Sequence, residues 1–166
     1  MESLVQWFTV NLSPYISEHM VVFLISMLPL LELRGGLLAA SLLKVPPLEA
    51  IPVCVVGNII PIPFILLFIR QIFKWLKNIK FFRPLILKLE EKAMGKSDQI
   101  RKYEFWGLVA FVGIPLPGTG AWTGALIASL LGIEIKKSSA AILVGIAMAT
   151  IIMYIFSYLI VGNVVG

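Results

Sequence analysis

Long apolar stretches alternate with short polar breaks along this chain. Between Phe105 and Ile133 there is no charged side chain. As one helix that run would be about 43 Å long, more than the ~30 Å hydrocarbon core of a bilayer requires. It is interrupted at Pro115-Leu116-Pro117-Gly118-Thr119-Gly120-Ala121-Trp122-Thr123-Gly124. Pro115 and Pro117 remove amide donors and clash with the preceding turn, while Gly118 and Gly120 admit backbone angles closed to other residues. The arms on either side, Phe105–Ile114 and Ala121–Ile133, are each about 15–20 Å long if helical, half a bilayer. The pattern predicts a re-entrant hairpin over 105–133. Irregular backbone at membrane depth persists only when packed in protein or lining a wet cavity, so a second element must cover the break.

The pattern recurs earlier. Residues 1–17 mix Leu4, Trp7, Phe8 and Leu12 with polar side chains, and read as an interfacial segment. Met20 to Leu31 is apolar, Pro29-Leu30-Leu31-Glu32-Leu33-Arg34-Gly35-Gly36 breaks it, and Leu37 to Leu43 is apolar again before Pro46-Pro47. This is a second candidate hairpin, over 20–43. A span over 48–69 follows, about 33 Å as a helix, with kinks expected at Pro52, Pro61 and Pro63. A basic amphipathic segment covers 70–102. After the second hairpin a further span covers 140–161, where Gly145, Ala147, Ala149 and Ser157 suit close helix packing. The breaks lie about 85 residues apart, each ahead of a span. The expected fold is an all-α integral membrane protein of two inverted repeats, 18–69 and 103–166, each a re-entrant helical hairpin followed by a transmembrane helix. A competing topology makes each hairpin a bent full span, giving four crossings.

Composition supports the membrane reading. The chain is 59% hydrophobic and 14% charged, against about 45–50% and about 25% in soluble domains. Its net charge of +5 is uneven, since residues 70–104 hold ten of the 14 basic side chains against four of the nine acids. Basic loops stay cytoplasmic, which would let the second hairpin enter from that side and the first from outside. Tethered between apolar spans, the segment reads as a solvated loop or a contact for anionic membrane lipids rather than for nucleic acid. The expected location is the cell membrane (inner or plasma), multi-pass. Met1-Glu2-Ser3-Leu4 lacks the basic start of a cleavable signal peptide. Cys54 and His19 each stand alone, so neither an intrachain disulfide nor a transition-metal cluster is expected, and no cofactor is implied.

Glu32 and Arg34 are the only charges between Met20 and Leu43. Ionisable residues at membrane depth cost about 2.5–3.5 kcal/mol on insertion scales and are functional candidates by default. On a helix, residues i and i+2 point about 200° apart, so each would need a partner elsewhere, the obvious one being the facing Pro115–Gly124 break. The alternative places both in a wet surface loop. Arg34 with Gly35 and Gly36 is a candidate anion site. Pro117, Gly118, Thr119, Gly120 and Thr123 supply the facing wall and uncharged donors. Glu32 is a candidate proton-coupling carboxyl, because burial favours the neutral form. Trp122 either covers an apolar tail or packs. Asn58 is expected to bond backbone freed by the prolines. No catalytic triad, metal cluster or phosphate loop marks an enzyme.

At Glu32-Leu33-Arg34-Gly35-Gly36 and Pro115 to Gly124 the chain resembles the putative small multi-drug export protein family, over about residues 20–160. That family is similar to the DedA/VTT membrane proteins, whose fold has two opposed re-entrant hairpins. The wider group is implicated in proton-motive-force-dependent transport and in moving lipid carriers such as undecaprenyl phosphate. Where that group carries arginines around a Pro-Gly, this chain has Ile114 and Gly120, leaving Arg34 as the remaining charge. The resemblance implies a proton-linked carrier of a small amphipathic or lipid substrate, its site formed by the two hairpin tips. Its rivals are a passive scramblase and a non-transporting scaffold. The small size and the Gly/Ala-rich last span point to a homo-oligomer.

Overall fold

The computed structural model describes residues 2–12, 14–95, 98–116 and 118–161. All its regular structure is helical among those residues: α1 (Glu2–Leu12), α2 (Glu18–Met27), α3 (Glu32–Leu42), α4 (Pro47–Ile59), α5 (Pro61–Lys77), α6 (Arg83–Met94), α7 (Asp98–Gly113), α8 (Ala121–Leu131) and α9 (Ile135–Tyr154), which runs into a π-helical segment (Ile155–Val161).

Local chemistry sets the ends. Ser17 caps α2, its hydroxyl oxygen accepting from the Met20 amide at 3.3 Å. Pro47 and Pro61 open α4 and α5, where a missing amide leaves no intrahelical bond unmade. α8 stops at Gly132, which takes left-handed angles (φ 73°). α7 bends at Glu104, whose φ of 40° is non-helical; the Glu104 carboxylate pairs with Lys137 ahead of the apolar part of α9.

Among the described residues, two helices are long and apolar enough to cross a membrane: Pro47–Lys77, jointed at Ile60, and Ile135–Tyr158. The sequence reading ends the first span at Ile69, but α5 continues through Arg70 and Lys74 to Lys77. The residues of 70–102 thus divide among the end of α5, all of α6 and the start of α7. α2 and α8, at ten and 11 residues, are shorter apolar helices.

Two cores result. One gathers α2, α3 and α4, with Val5 of α1 and Ala149 and Met153 of α9. The other gathers α5, α7, α8 and the first half of α9. Matching approaches hold each. A Cβ on Gly57 of α4 would lie 2.8 Å from the Phe23 carbonyl of α2, and one on Gly145 of α9 would lie 3.1 Å from the Val109 carbonyl of α7. In both places only the missing side chain lets backbone meet backbone. The tail of α9 is tied to the end of α3: Ser41 donates to the Ser157 carbonyl at 2.7 Å and Tyr158 to the Val45 carbonyl at 2.9 Å.

Candidate functional site

The broken stretch between α7 and α8 leaves two sets of backbone groups without their helical partners. Beyond Ala110, whose carbonyl accepts the Ile114 amide, the last carbonyls of α7 lose their helical partners, partly because Pro115 carries no amide. In the break itself the Ile114 and Leu116 carbonyls each have one amide, from Leu116 and Thr119. The first amides of α8 have no carbonyls behind them. In hydrocarbon each such group costs several kcal/mol if left alone.

Glu32 and Arg34 of α3 fill both gaps. The Glu32 carboxylate accepts from the Ala121 amide at 2.9 Å and from the Trp122 amide at 3.1 Å. An anion thereby sits on the positive end of α8. The Arg34 guanidinium donates to the carbonyls of Leu116 at 2.7 Å, Ile114 at 3.2 Å and Val112 at 3.4 Å. A cation thereby sits on the negative end of α7. Arg34 also donates to the Thr119 hydroxyl at 3.0 Å, and that hydroxyl lies 2.9 Å and 3.0 Å from the Leu116 and Ile114 carbonyls. Glu32 is 5% exposed and Arg34 7%, so neither stands in a wet surface loop.

Register explains the division of labour. α3 begins at Glu32, and two helical positions separate it from Arg34, so the side chains leave in different directions. The ends of α7 and α8 are separated by the break, and each side chain meets one of them. Glu32 itself holds a left-handed φ of 51°, a conformation that costs a non-glycine residue about 1–3 kcal/mol. Gly120 is required by the same contact. Its φ is 135°, and a Cβ there would run into the Glu32 carboxylate.

The remaining sequence-selected residues divide. Thr119 and the Trp122 amide belong to the tie, and Gly118 turns the chain at φ 75°. Thr123 is half-buried in the first turn of α8. Gly35 lies in a cavity wall beside Arg34. Gly36 is elsewhere: it faces Ser26 of α2 and Cys54 of α4 inside the first core. Pro117 lies outside the described residues. The Asn58 Oδ1 is buried without a hydrogen-bond partner among the described residues, so the expected bond to freed backbone is not made by that atom.

Two cavities flank the tie. The first, about 310 Å³, has Arg34, Gly35 and Pro115 on one side and Val5, Leu38, Ile152, Met153 and Phe156 around them. It is apolar apart from the guanidinium. The second, about 520 Å³, lies between α5 and Trp122. Sequence reasoning missed Val5 and Phe156, which come from the two ends of the chain. It also missed the carbonyls of Val112, Ile114 and Leu116. Their signal was present: an uncharged run with prolines must borrow donors from another helix. Among the described residues, no group of His, Cys, Asp and Glu is placed to hold a metal ion.

No curated protein and no solved structure matches the chain. The sequence profile of a family described as putative small multi-drug export protein matches residues 32–152. The matched stretch starts at the carboxylate that caps α8, holds Arg34 and the whole second break, and takes in Pro47–Lys77 with most of Ile135–Tyr158. This is a membrane protein, and it belongs to the putative small multi-drug export protein family.

Proposed function

We propose that the chain is a proton-linked carrier that moves a small amphipathic molecule or a lipid across the membrane. The observation that carries this reading is the double tie: one helix supplies both charges that close the broken ends of two others. A carboxylate can hold two amides with its two oxygens. Once protonated, it presents a weaker acceptor and a hydroxyl with no matching partner. Proton uptake on Glu32 then loosens the start of α8, and Arg34 loses the neighbouring negative charge. Pro115 sits in the wall of the Arg34 cavity, so movement of the break changes that cavity's shape. The apolar walls would take the tail of an amphipath, and the guanidinium an anionic or polar head.

The two short helix pairs, α2–α3 and α7–α8, would be opposed re-entrant hairpins. The matched approaches at Gly57 and Gly145 support an internal repeat of the kind seen in secondary transporters and implied by the DedA/VTT resemblance. A second reading, a non-transporting membrane scaffold, is favoured by one fact: Glu32 and Arg34 together hold five backbone groups of the break and its flanking helix ends, which is a structural use of both charges.

Reconstitution into liposomes decides between them. A coupled carrier should move a fluorescent polyprenyl phosphate, or a lipophilic cation tested alongside it, in response to an imposed pH gradient, and Glu32→Gln should remove the response. A passive scramblase would move lipid without a gradient, and a scaffold would move neither probe.

A further inference from the structure

The two cavities beside the tie are built from matching residues. The close approach at Gly57 meets Phe23 and Ser26 of α2, and the one at Gly145 meets Val109 and Val112 of α7. A Cβ on Gly36 of α3 would run into Ser26, and one on Gly124 of α8 into Val112. Ahead of the breaks the matched residues are 86 apart, 23 to 109 and 26 to 112; after them they are 88 apart, 36 to 124 and 57 to 145. Helix ends keep the same spacings. α2 stops at Met27 and α7 at Gly113, while α4 opens at Pro47 and α9 at Ile135.

The spacing of 88 carries Arg34 to Trp122, Phe64 to Ile152, Ile65 to Met153 and Phe68 to Phe156, and each pair has one member in each cavity. Each cavity therefore takes one side chain from the first turn after one break. It takes three more from the apolar crossing helix of the other half. A twofold rotation produces that exchange. The polar fitting is matched too. Arg34 brings a guanidinium to the first cavity, and Trp122 brings an indole to the second, its Nε1 buried without a hydrogen-bond partner among the described residues. Apolar walls with one N–H donor at the equivalent place suit the same occupant, an apolar tail with a hydrogen-bond-accepting head.

We infer that the two cavities are a matched pair that holds the same amphipathic substrate, the Arg34 cavity on one side of the tie and the Trp122 cavity on the other. This rests on the carrier reading above and adds where the substrate goes once it leaves Arg34. Among the described residues each half holds one helix able to cross the membrane. The second half then starts from the side opposite to the first, the twofold lies in the membrane plane, and the cavities face opposite surfaces. The tie stands between them: Arg34 lines one cavity, and Trp122, whose amide Glu32 holds, lines the other. Loosening the tie acts on both.

Photocross-linking at matched positions tests the pair. Phe68 and Phe156, both partly exposed, are replaced singly by benzoylphenylalanine, and each protein is irradiated in liposomes with the fluorescent polyprenyl phosphate. Both positions should cross-link severalfold above Ile151→benzoylphenylalanine, a lipid-exposed control that lines neither cavity. Phe64 and Ile152, a second matched pair, serve where a first variant fails to fold. Phe68→Trp should also cut pH-driven movement of the probe severalfold, as a larger ring at Phe156 should. Cross-linking at 156 alone, or movement unaffected by Phe68→Trp, would confine the substrate to the Arg34 cavity and overturn the inference. Movement in the parent without cross-linking at either position would also overturn it while leaving the carrier reading intact. Cross-linking at both positions in a parent that moves no probe would overturn the carrier reading and leave the matched binding sites standing.

Discussion

The Glu32 carboxylate accepts the backbone amide of Ala121 at 2.9 Å, across 89 residues of chain. This bond joins the first turn of one short helix to the first turn of another. Its counterpart, Arg34, donates to the Leu116 carbonyl in the break at 2.7 Å and to the Val112 carbonyl in the last turn of α7 at 3.4 Å. The break between α7 and α8 is therefore held by the two charges that hydropathy marks as out of place.

Replacing the carboxylate tests the first bond. Glu32→Gln keeps one acceptor oxygen but loses the charge on the α8 N-terminus, and should destabilise the fold by about 1–2 kcal/mol. Glu32→Ala leaves both amides unpaired in a dry site and should cost more, about 2–4 kcal/mol. Unfolding monitored by tryptophan fluorescence in detergent would rank them. Equal stability of all three proteins would show that the capping bonds do not hold the fold.

Arg34 should be harder to replace by lysine than its charge suggests. A single ammonium cannot span acceptors on Val112, Ile114, Leu116 and Thr119, which the planar fork reaches together. Arg34→Lys is expected to lose about 1–3 kcal/mol, with Arg34→Met losing more. The same unfolding assay checks this, and a lysine variant as stable as the parent would count against the multiple contacts.

Much of this site was legible in the sequence, for a physical reason. Proline and glycine force a break wherever they fall, and an ionisable pair in an apolar run must find partners, so Glu32, Arg34 and the Pro115–Gly124 stretch identified one another. Which charge meets which helix end was not legible, because that depends on how α3 rotates against the break. The joint at Ile60–Pro61 and the continuation of α5 to Lys77 were also hidden. Charges at Arg70, Lys74 and Lys77 look like an end to a span, yet they share one flank of α5 and leave the opposite face apolar. The first cavity joins Val5 to Phe156, a pairing no local pattern announces.

Gly120 is expected to tolerate nothing larger. Gly120→Ala combines an unfavourable φ of 135° with a collision against the Glu32 carboxylate, and should cost about 2–4 kcal/mol. Combining it with Glu32→Ala, which removes the obstacle, should cost clearly less than the sum of the two single changes. Simple additivity in a double-mutant cycle would mean that the two residues do not meet.

Narrowing the first cavity separates substrate handling from stability. Phe156→Trp places a larger ring in a wall of the 310 Å³ space, at a position 45% exposed. Stability should change by less than about 0.5 kcal/mol, while uptake of the transported probe falls severalfold in liposomes. Unchanged uptake would place the substrate elsewhere.

The central claim is that a proton on Glu32 undoes its hold on the start of α8. Backbone nitrogen resonances and amide exchange at Ala121 and Trp122, followed by solid-state NMR in lipid bilayers as pH is lowered, report that hold directly. Both amides should titrate together and exchange faster once Glu32 is protonated, and Glu32→Gln should make them indifferent to pH. Resonances that stay fixed across the range in the parent protein, or that titrate unchanged in Glu32→Gln, would contradict it.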